Sequence, residues 1–171
     1  MRVLVFGATG FIGRQVIGYL VKEGHTVHAV TRRYASAREL LVYPTVTVLE
    51  ADLQDQAALR SLVSSCDAVI NLVGILHSRN GQPFGPDFDR VHVQLPRRIA
   101  QACREADVAR FIHMSALGAS ADGPSCYLRS KAAGEQAVAD EFSGWSQGAY
   151  TFIRPSVVFG PRDQFMNMFA Q

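Results

Sequence analysis

Nowhere in these 171 residues does an apolar run approach the roughly 20 residues that a membrane-spanning helix requires. Cysteine is scarce. Cys66, Cys103 and Cys126 are odd in number and show neither CxxC nor Cys/His spacing, so they define no metal site or disulfide framework. Reduced thiols and a cytoplasmic protein are the expectation. Basic runs are missing too: none exceeds the pairs Arg32-Arg33 and Arg97-Arg98, and the net charge of +2 is too slight for a nucleic-acid footprint. The sequence opens directly into the apolar segment Arg2-Val-Leu-Val-Phe6, and no secretory leader is expected.

What is present is an alternation. The hydrophobic share of 48% against a charged share of 19% describes one globular core rather than a disordered chain. Short β-branched runs at 2–6, 26–30, 46–50, 68–71, 110–114 and 150–154 alternate with helical patterns at 11–23, 35–41, 55–64, 88–106 and 126–141. That rhythm predicts an α/β fold, a doubly wound parallel sheet with helices on both faces. The strands are nearly continuous in apolar residues, as expected when both faces are covered. Gly24 stands where the first helix needs a left-handed cap. Residues 74–87, rich in glycine and proline, and the small polar stretch 116–125 predict loops at the carboxyl ends of the fourth and fifth strands, where such sheets bind ligands.

Gly7-Ala-Thr-Gly10-Phe-Ile-Gly13 follows the first strand and opens a helix. Gly7 permits the tight turn, Gly10 lets backbone approach a pyrophosphate, and Gly13 allows close helix–strand packing. The helix start offers amides and a positive dipole end to phosphate, so Thr9, Phe11 and Ile12 join the glycines as candidate contacts. This strand–turn–helix context makes the fold Rossmann-type and the ligand a nicotinamide dinucleotide. The second strand ends in Thr31-Arg32-Arg33, without the Asp or Glu that accepts from the ribose hydroxyls in NAD-preferring domains. Two guanidiniums suit a 2′-phosphate, or are simply solvated surface arginines. The missing acid favours NADP, with NAD possible. Asp52 and Leu53, after the third strand, are candidates for the adenine edge. Asn71, Leu72, Val73 and Gly74 are candidates for the ribose.

Tyr127 and Lys131 lie four residues apart on one helix face. A neighbouring ammonium favours the phenolate and is expected to lower the phenol from its usual value near 10. Tyr127 then exchanges a proton with a carbinol oxygen during hydride transfer, while Lys131 also reaches the nicotinamide ribose.

The glycine turn, Asn71-Leu-Val-Gly74, Tyr127-x-x-x-Lys131 with Ser130 and Gly134-Glu135, and Ile153-Arg-Pro-Ser-Val-Val-Phe-Gly160 resemble the extended short-chain dehydrogenase/reductases, the NAD-dependent epimerase/dehydratase family. Phe111-Ile-His-Met-Ser115-Ala-Leu and Arg162-Asp-Gln-Phe-Met-Asn167 are similar to an atypical branch, the reductase-like accessory subunits of respiratory complex I and their bacterial relatives. The resemblance implies that the neighbourhood of Pro155 contacts the nicotinamide amide. It also implies that a hydroxyl just after the fifth strand assists the tyrosine. At that position stands Ala116, with Ser115 one residue early and Ser120 and Ser125 farther on. The family's helix asparagine appears as His92, which reads as a helix histidine bonded to a nearby carbonyl.

Two functions are therefore expected. One is an NADP-dependent oxidoreductase, or a nucleotide-sugar epimerase or dehydratase, with Tyr127, Lys131 and Ser115 as catalytic candidates and an unidentified small-molecule substrate. The other is a non-catalytic dinucleotide-binding accessory or assembly subunit. A homodimer or association with a respiratory complex is possible in either case. Residues 1–160 are expected to form the dinucleotide domain, and 161–171, with Phe165, Met168 and Phe169 at helical spacing, to begin an incomplete substrate-side segment.

Overall fold

The computed structural model describes residues 1–160. The expected amphipathic segment at 161–171 lies outside the described residues. Six parallel strands, β1 (Arg2–Phe6), β2 (Thr26–Thr31), β3 (Val46–Glu50), β4 (Ala68–Asn71), β5 (Arg110–Met114) and β6 (Ala149–Ile153), form one sheet in the order β3-β2-β1-β4-β5-β6. The chain runs outward from β1 to β3, then crosses back to lay β4 on the other side of β1. The resulting reversal between β1 and β4 is where doubly wound sheets open a ligand crevice.

Alternation along each strand sends neighbouring side chains to opposite faces. Val3, Val5, Val27, Ala29 and Ile70 pack with Ile17 of α1 (Phe11–Lys22) and with Ala37 and Leu40 of a 3₁₀ helix (Tyr34–Val42). Leu4, Phe6, Val69 and Phe111 pack on the opposite face with Leu59 and Val63 of α2 (Gln56–Val63), Ile99 of α4 (Leu95–Glu105) and Val138 and Phe142 of α5 (Cys126–Phe142). Burying a side chain such as Phe6 or Leu4 is worth about 1.5–3 kcal/mol. Side chains define two helix starts: Asp55 accepts from the Ala57 amide, and Ser125 accepts from the Leu128 amide. Gly24, at φ +78°, ends α1 as expected.

Two expected helices take other windings. The helix at 35–41 is 3₁₀, and its buried residues Ala37 and Leu40 lie three apart, matching three residues per turn. The single helix expected over 88–106 is composite: α3 (Pro86–Phe88) passes into a π segment (Asp89–Gln94) before α4. Pro96 explains the break. A regular α-helix would ask the amide of residue 96 to bond the carbonyl of His92, and proline has no N–H. That carbonyl instead faces α5 so closely that a Cβ on Gly134 would stand 1.9 Å from it.

Candidate functional site

The glycine turn sits at the reversal point, packed so closely that Gly7 and Gly13 have no room for a side chain. A Cβ on Gly13 would lie 2.2 Å from the Gly7 carbonyl oxygen and 2.7 Å from that of Ala8. Gly7 has φ +79°, and a Cβ there would meet the Leu72 carbonyl carbon at 2.9 Å and the Val73 nitrogen at 3.0 Å. The phosphate turn and the β4 loop thus touch through main chain. Gly10 caps α1 without a side-chain hydrogen bond, and the first turn holds no acid, which leaves its dipole end available to an anion. Thr9, Phe11 and Ile12 line this start as half-buried residues.

Arg14 was not singled out by sequence. Its Nε donates to the Thr9 carbonyl at 3.1 Å, and its Nη1 pairs with Glu39 at 2.6 Å, so a cation sits beside the turn. Its position just past Gly13 was the available signal.

At the ribose end, the buried Thr31 hydroxyl accepts from the Arg33 amide at 3.2 Å and shapes the turn, leaving Arg32 and Arg33 exposed. Glu50, at the end of β3, accepts from the Tyr34 amide and pins the start of the 3₁₀ helix. Asp52 is exposed and folds back to accept from the Gln54 amide at 2.9 Å, while Leu53 packs against the core. Asn71 is fully buried: Oδ1 accepts from the Val73 amide at 3.1 Å, and the side-chain amide meets His113 Nδ1 at 3.2 Å. Leu72 and Val73 are half-buried, and Gly74 is exposed.

Tyr127 and Lys131 come together on α5 at the carboxyl end of the sheet. Only 2% of Lys131 is exposed, and its Nζ donates to the Met114 carbonyl at 2.6 Å, tying α5 to the end of β5. Burial pushes this ammonium down to about 8, against a raising influence from Glu135. Tyr127 is half-buried, its ring edge-on to Phe88 at 6.1 Å and to His92 at 5.5 Å between centroids. The expected lowering of its pKa is corrected: burial raises the phenol above its ordinary value.

Ser115 is 2% exposed, and its Oγ has no hydrogen-bond partner among the described residues, so it is bonded to neither Tyr127 nor Lys131. By strand alternation it follows Phe111 and His113 on the side turned to α5. Ala116 is buried, and Ser120 and Ser125 are exposed, the latter engaged as the cap of α5. Pro155 is half-buried, and its carbonyl accepts from the Leu117 amide at 2.8 Å, extending the β5–β6 pairing beyond the strands.

His92 departs from expectation. Its partners are not carbonyls: Nε2 accepts from the Ile75 amide at 3.1 Å, and Nδ1 meets Ser130 Oγ at 2.8 Å. Ser130 Oγ in turn donates to the Tyr127 carbonyl at 2.7 Å. Burial, aided by the Lys131 ammonium, pushes His92 and His113 each down to about 3, so both are neutral at physiological pH.

A parallel sheet with a glycine-lined crevice and a half-buried tyrosine beside a buried lysine at its carboxyl end defines a dinucleotide-binding type of domain. Residues 3–171 match the NAD dependent epimerase/dehydratase family, and the chain belongs to it. It is 41% identical over 170 residues to subunit 9 of the NADH dehydrogenase [ubiquinone] 1 alpha subcomplex of Mus musculus, covering 97% of this chain and 43% of that protein. It is 32% identical over 164 residues to ceramide reductase of Caulobacter vibrioides, covering 94% of this chain and 47% of that protein. The chain therefore spans about half the length of these relatives. Among solved structures, MoeE5 in complex with UDP-glucose and NAD superposes with a TM-score of 0.81 at 26% identity, over 99% of this chain and 58% of MoeE5.

Proposed function

We propose that this chain holds a nicotinamide dinucleotide across the β1–β4 crevice, with the 2′-phosphorylated form preferred, and serves an oxidoreductase or a nucleotide-sugar epimerase or dehydratase. The observation that carries the reading is the buried Lys131, anchored on the Met114 carbonyl one helical turn from Tyr127. Burying an ammonium is costly, and a residue kept only for packing gives no return on that cost. The NAD complex of MoeE5 and the reductase named among the relatives support the same chemistry.

The chemistry supplied by a bound dinucleotide would be the gain or loss of a hydride at the nicotinamide. Gly7, Gly10 and Gly13, with the amides of Thr9, Phe11 and Ile12, hold its pyrophosphate, and Arg32 and Arg33 take the 2′-phosphate. Asp52 and Leu53 border the adenine, and Asn71 through Gly74 the ribose. Tyr127 Oη, kept protonated by burial, gives its proton to a carbonyl oxygen as that carbon is reduced, and takes it back in the reverse direction. Lys131, already bound to β5 through one N–H, has further donors for the nicotinamide ribose. The stretch around Pro155 borders the nicotinamide amide.

A second reading has its own observation. Ala116 stands where the assisting hydroxyl is expected, and Ser115 is bonded to neither Tyr127 nor Lys131. A retained, non-reacting dinucleotide in an accessory subunit of a respiratory complex accounts for that, in keeping with the mouse relative.

Titration of the purified chain with NADPH and NADH, read by nicotinamide fluorescence and followed by carbonyl and quinone acceptors, separates the two. Exchangeable NADPH oxidised by an acceptor supports the enzyme, and tight NADPH that neither exchanges nor reacts supports the accessory subunit. Failure to bind either dinucleotide overturns both.

A further inference from the structure

His92 has no role in the chemistry above, yet it lies between the two halves of the site. Its hydrogen bonds fix its tautomer. Ile75 N–H donates to Nε2, so the neutral ring carries its proton on Nδ1 and donates it to Ser130 Oγ, which passes its own to the Tyr127 carbonyl. His113 carries the opposite tautomer. The Val73 amide occupies Asn71 Oδ1, so the Asn71 side-chain NH₂ donates to His113 Nδ1 and the proton sits on Nε2.

A continuous physical path follows. The Leu72 amide donates to the Phe6 carbonyl, just before the phosphate turn, at 3.0 Å, and three residues after Leu72 the Ile75 amide caps His92. His92 reaches α5 through Ser130, and its ring is stacked on Phe88 at 5.0 Å, which keeps it from rotating away. The π winding that presents it is of a kind concentrated at functional sites.

We propose that His92, as the Nδ1–H tautomer, is a positioning residue that couples the loop beside the dinucleotide crevice to the helix bearing Tyr127 and Lys131. Ordering of the Gly74–Ser78 loop by the dinucleotide is transmitted through the imidazole and Ser130 to the first turn of α5. The coupling rests on the dinucleotide reading above, and the test separates the two.

Two-bond ¹⁵N–¹H spectra of the wild-type chain are expected to show the Nδ1–H tautomer for His92 and Nε2–H for His113. A proton on His92 Nε2 overturns the coupling without any variant being made. Amide hydrogen exchange is then measured with and without saturating NADPH, or NADH if it binds more tightly. Wild type is expected to gain about tenfold protection both at residues 74–78 and at 127–131. Ser130→Ala, a small change within a helix, is expected to keep the loop protection and lose the gain on α5. An equal gain on α5 in Ser130→Ala overturns the coupling and leaves the dinucleotide reading standing. Absence of dinucleotide binding in wild type overturns both.

Discussion

Around Gly7–Gly13 the binding surface is main chain, shaped by places where no side chain fits; around Tyr127 it is side chains whose charge is set by burial. A Cβ on Gly13 would lie 2.2 Å from a backbone oxygen, so that end allows only one residue type. At the other end Lys131, Tyr127, His92 and His113 all depart from their ordinary pKa values, each mainly through loss of water. The first end is therefore sensitive to shape and indifferent to pH. The second responds to any change in protonation or polarity.

The largest expected effect strikes the first end. Gly13→Ala should abolish dinucleotide binding in a fluorescence titration and destabilise the fold by about 1–3 kcal/mol in urea, since backbone must move to admit the methyl. Retained affinity would show that the turn is looser than its contacts imply. Next, Tyr127→Phe should lower turnover with any accepted substrate by about 10²–10⁴-fold while leaving NADPH affinity unchanged. Equal losses in both would make Tyr127 a packing residue and erase the contrast between the ends.

The pH response comes third. His92 and His113 are near 6.5 when unfolded and about 3 when folded. Below 6.5 the unfolded chain takes up protons that the folded chain refuses, so their contribution to stability is complete above 6.5 and is lost as pH falls toward 3. The slope is up to about 1.4 kcal/mol per pH unit for each imidazole. A urea midpoint that stays level from pH 6.5 to 4.5 would contradict the buried neutral assignment. The smallest effect lies at the ribose end, where Arg32→Ala combined with Arg33→Ala should weaken NADPH by about tenfold more than NADH, from loss of charge-assisted contacts at an exposed site. Equal weakening in parallel titrations would remove the 2′-phosphate preference.

The same contrast explains what could be read from the sequence. Glycine spacing, strand alternation and the Tyr127/Lys131 interval are local, and each translated directly into the observed turn, sheet and helix face. The protonation states were not legible, because they depend on partners far away in the chain. His92 meets Ser130 across 38 residues and Ile75 across 17, and Asn71 meets His113 across 42. The lowered phenol expected of Tyr127 failed for the same reason: the Lys131 spacing was visible, but the burial against Phe88 and His92 was not. Pro96 was visible, yet its effect on the helix depends on how closely Gly134 lets α5 approach.

The winding of Asp89–Gln94 has a further meaning as a phase shift. A π turn accommodates one more residue than an α turn, and each residue turns a helix by about 100°. Phe88 and His92 are thus set to one angular origin, toward Tyr127, whereas Leu95, Ile99 and Cys103 are set to another, toward the sheet. One continuous helix serves two neighbours that no single α-helical stripe would satisfy. At a uniform α-helical winding Phe88, His92, Leu95 and Ile99, spaced i, i+4, i+7 and i+11, would fall on one stripe, so the π turn alone parts the two origins without altering any side chain.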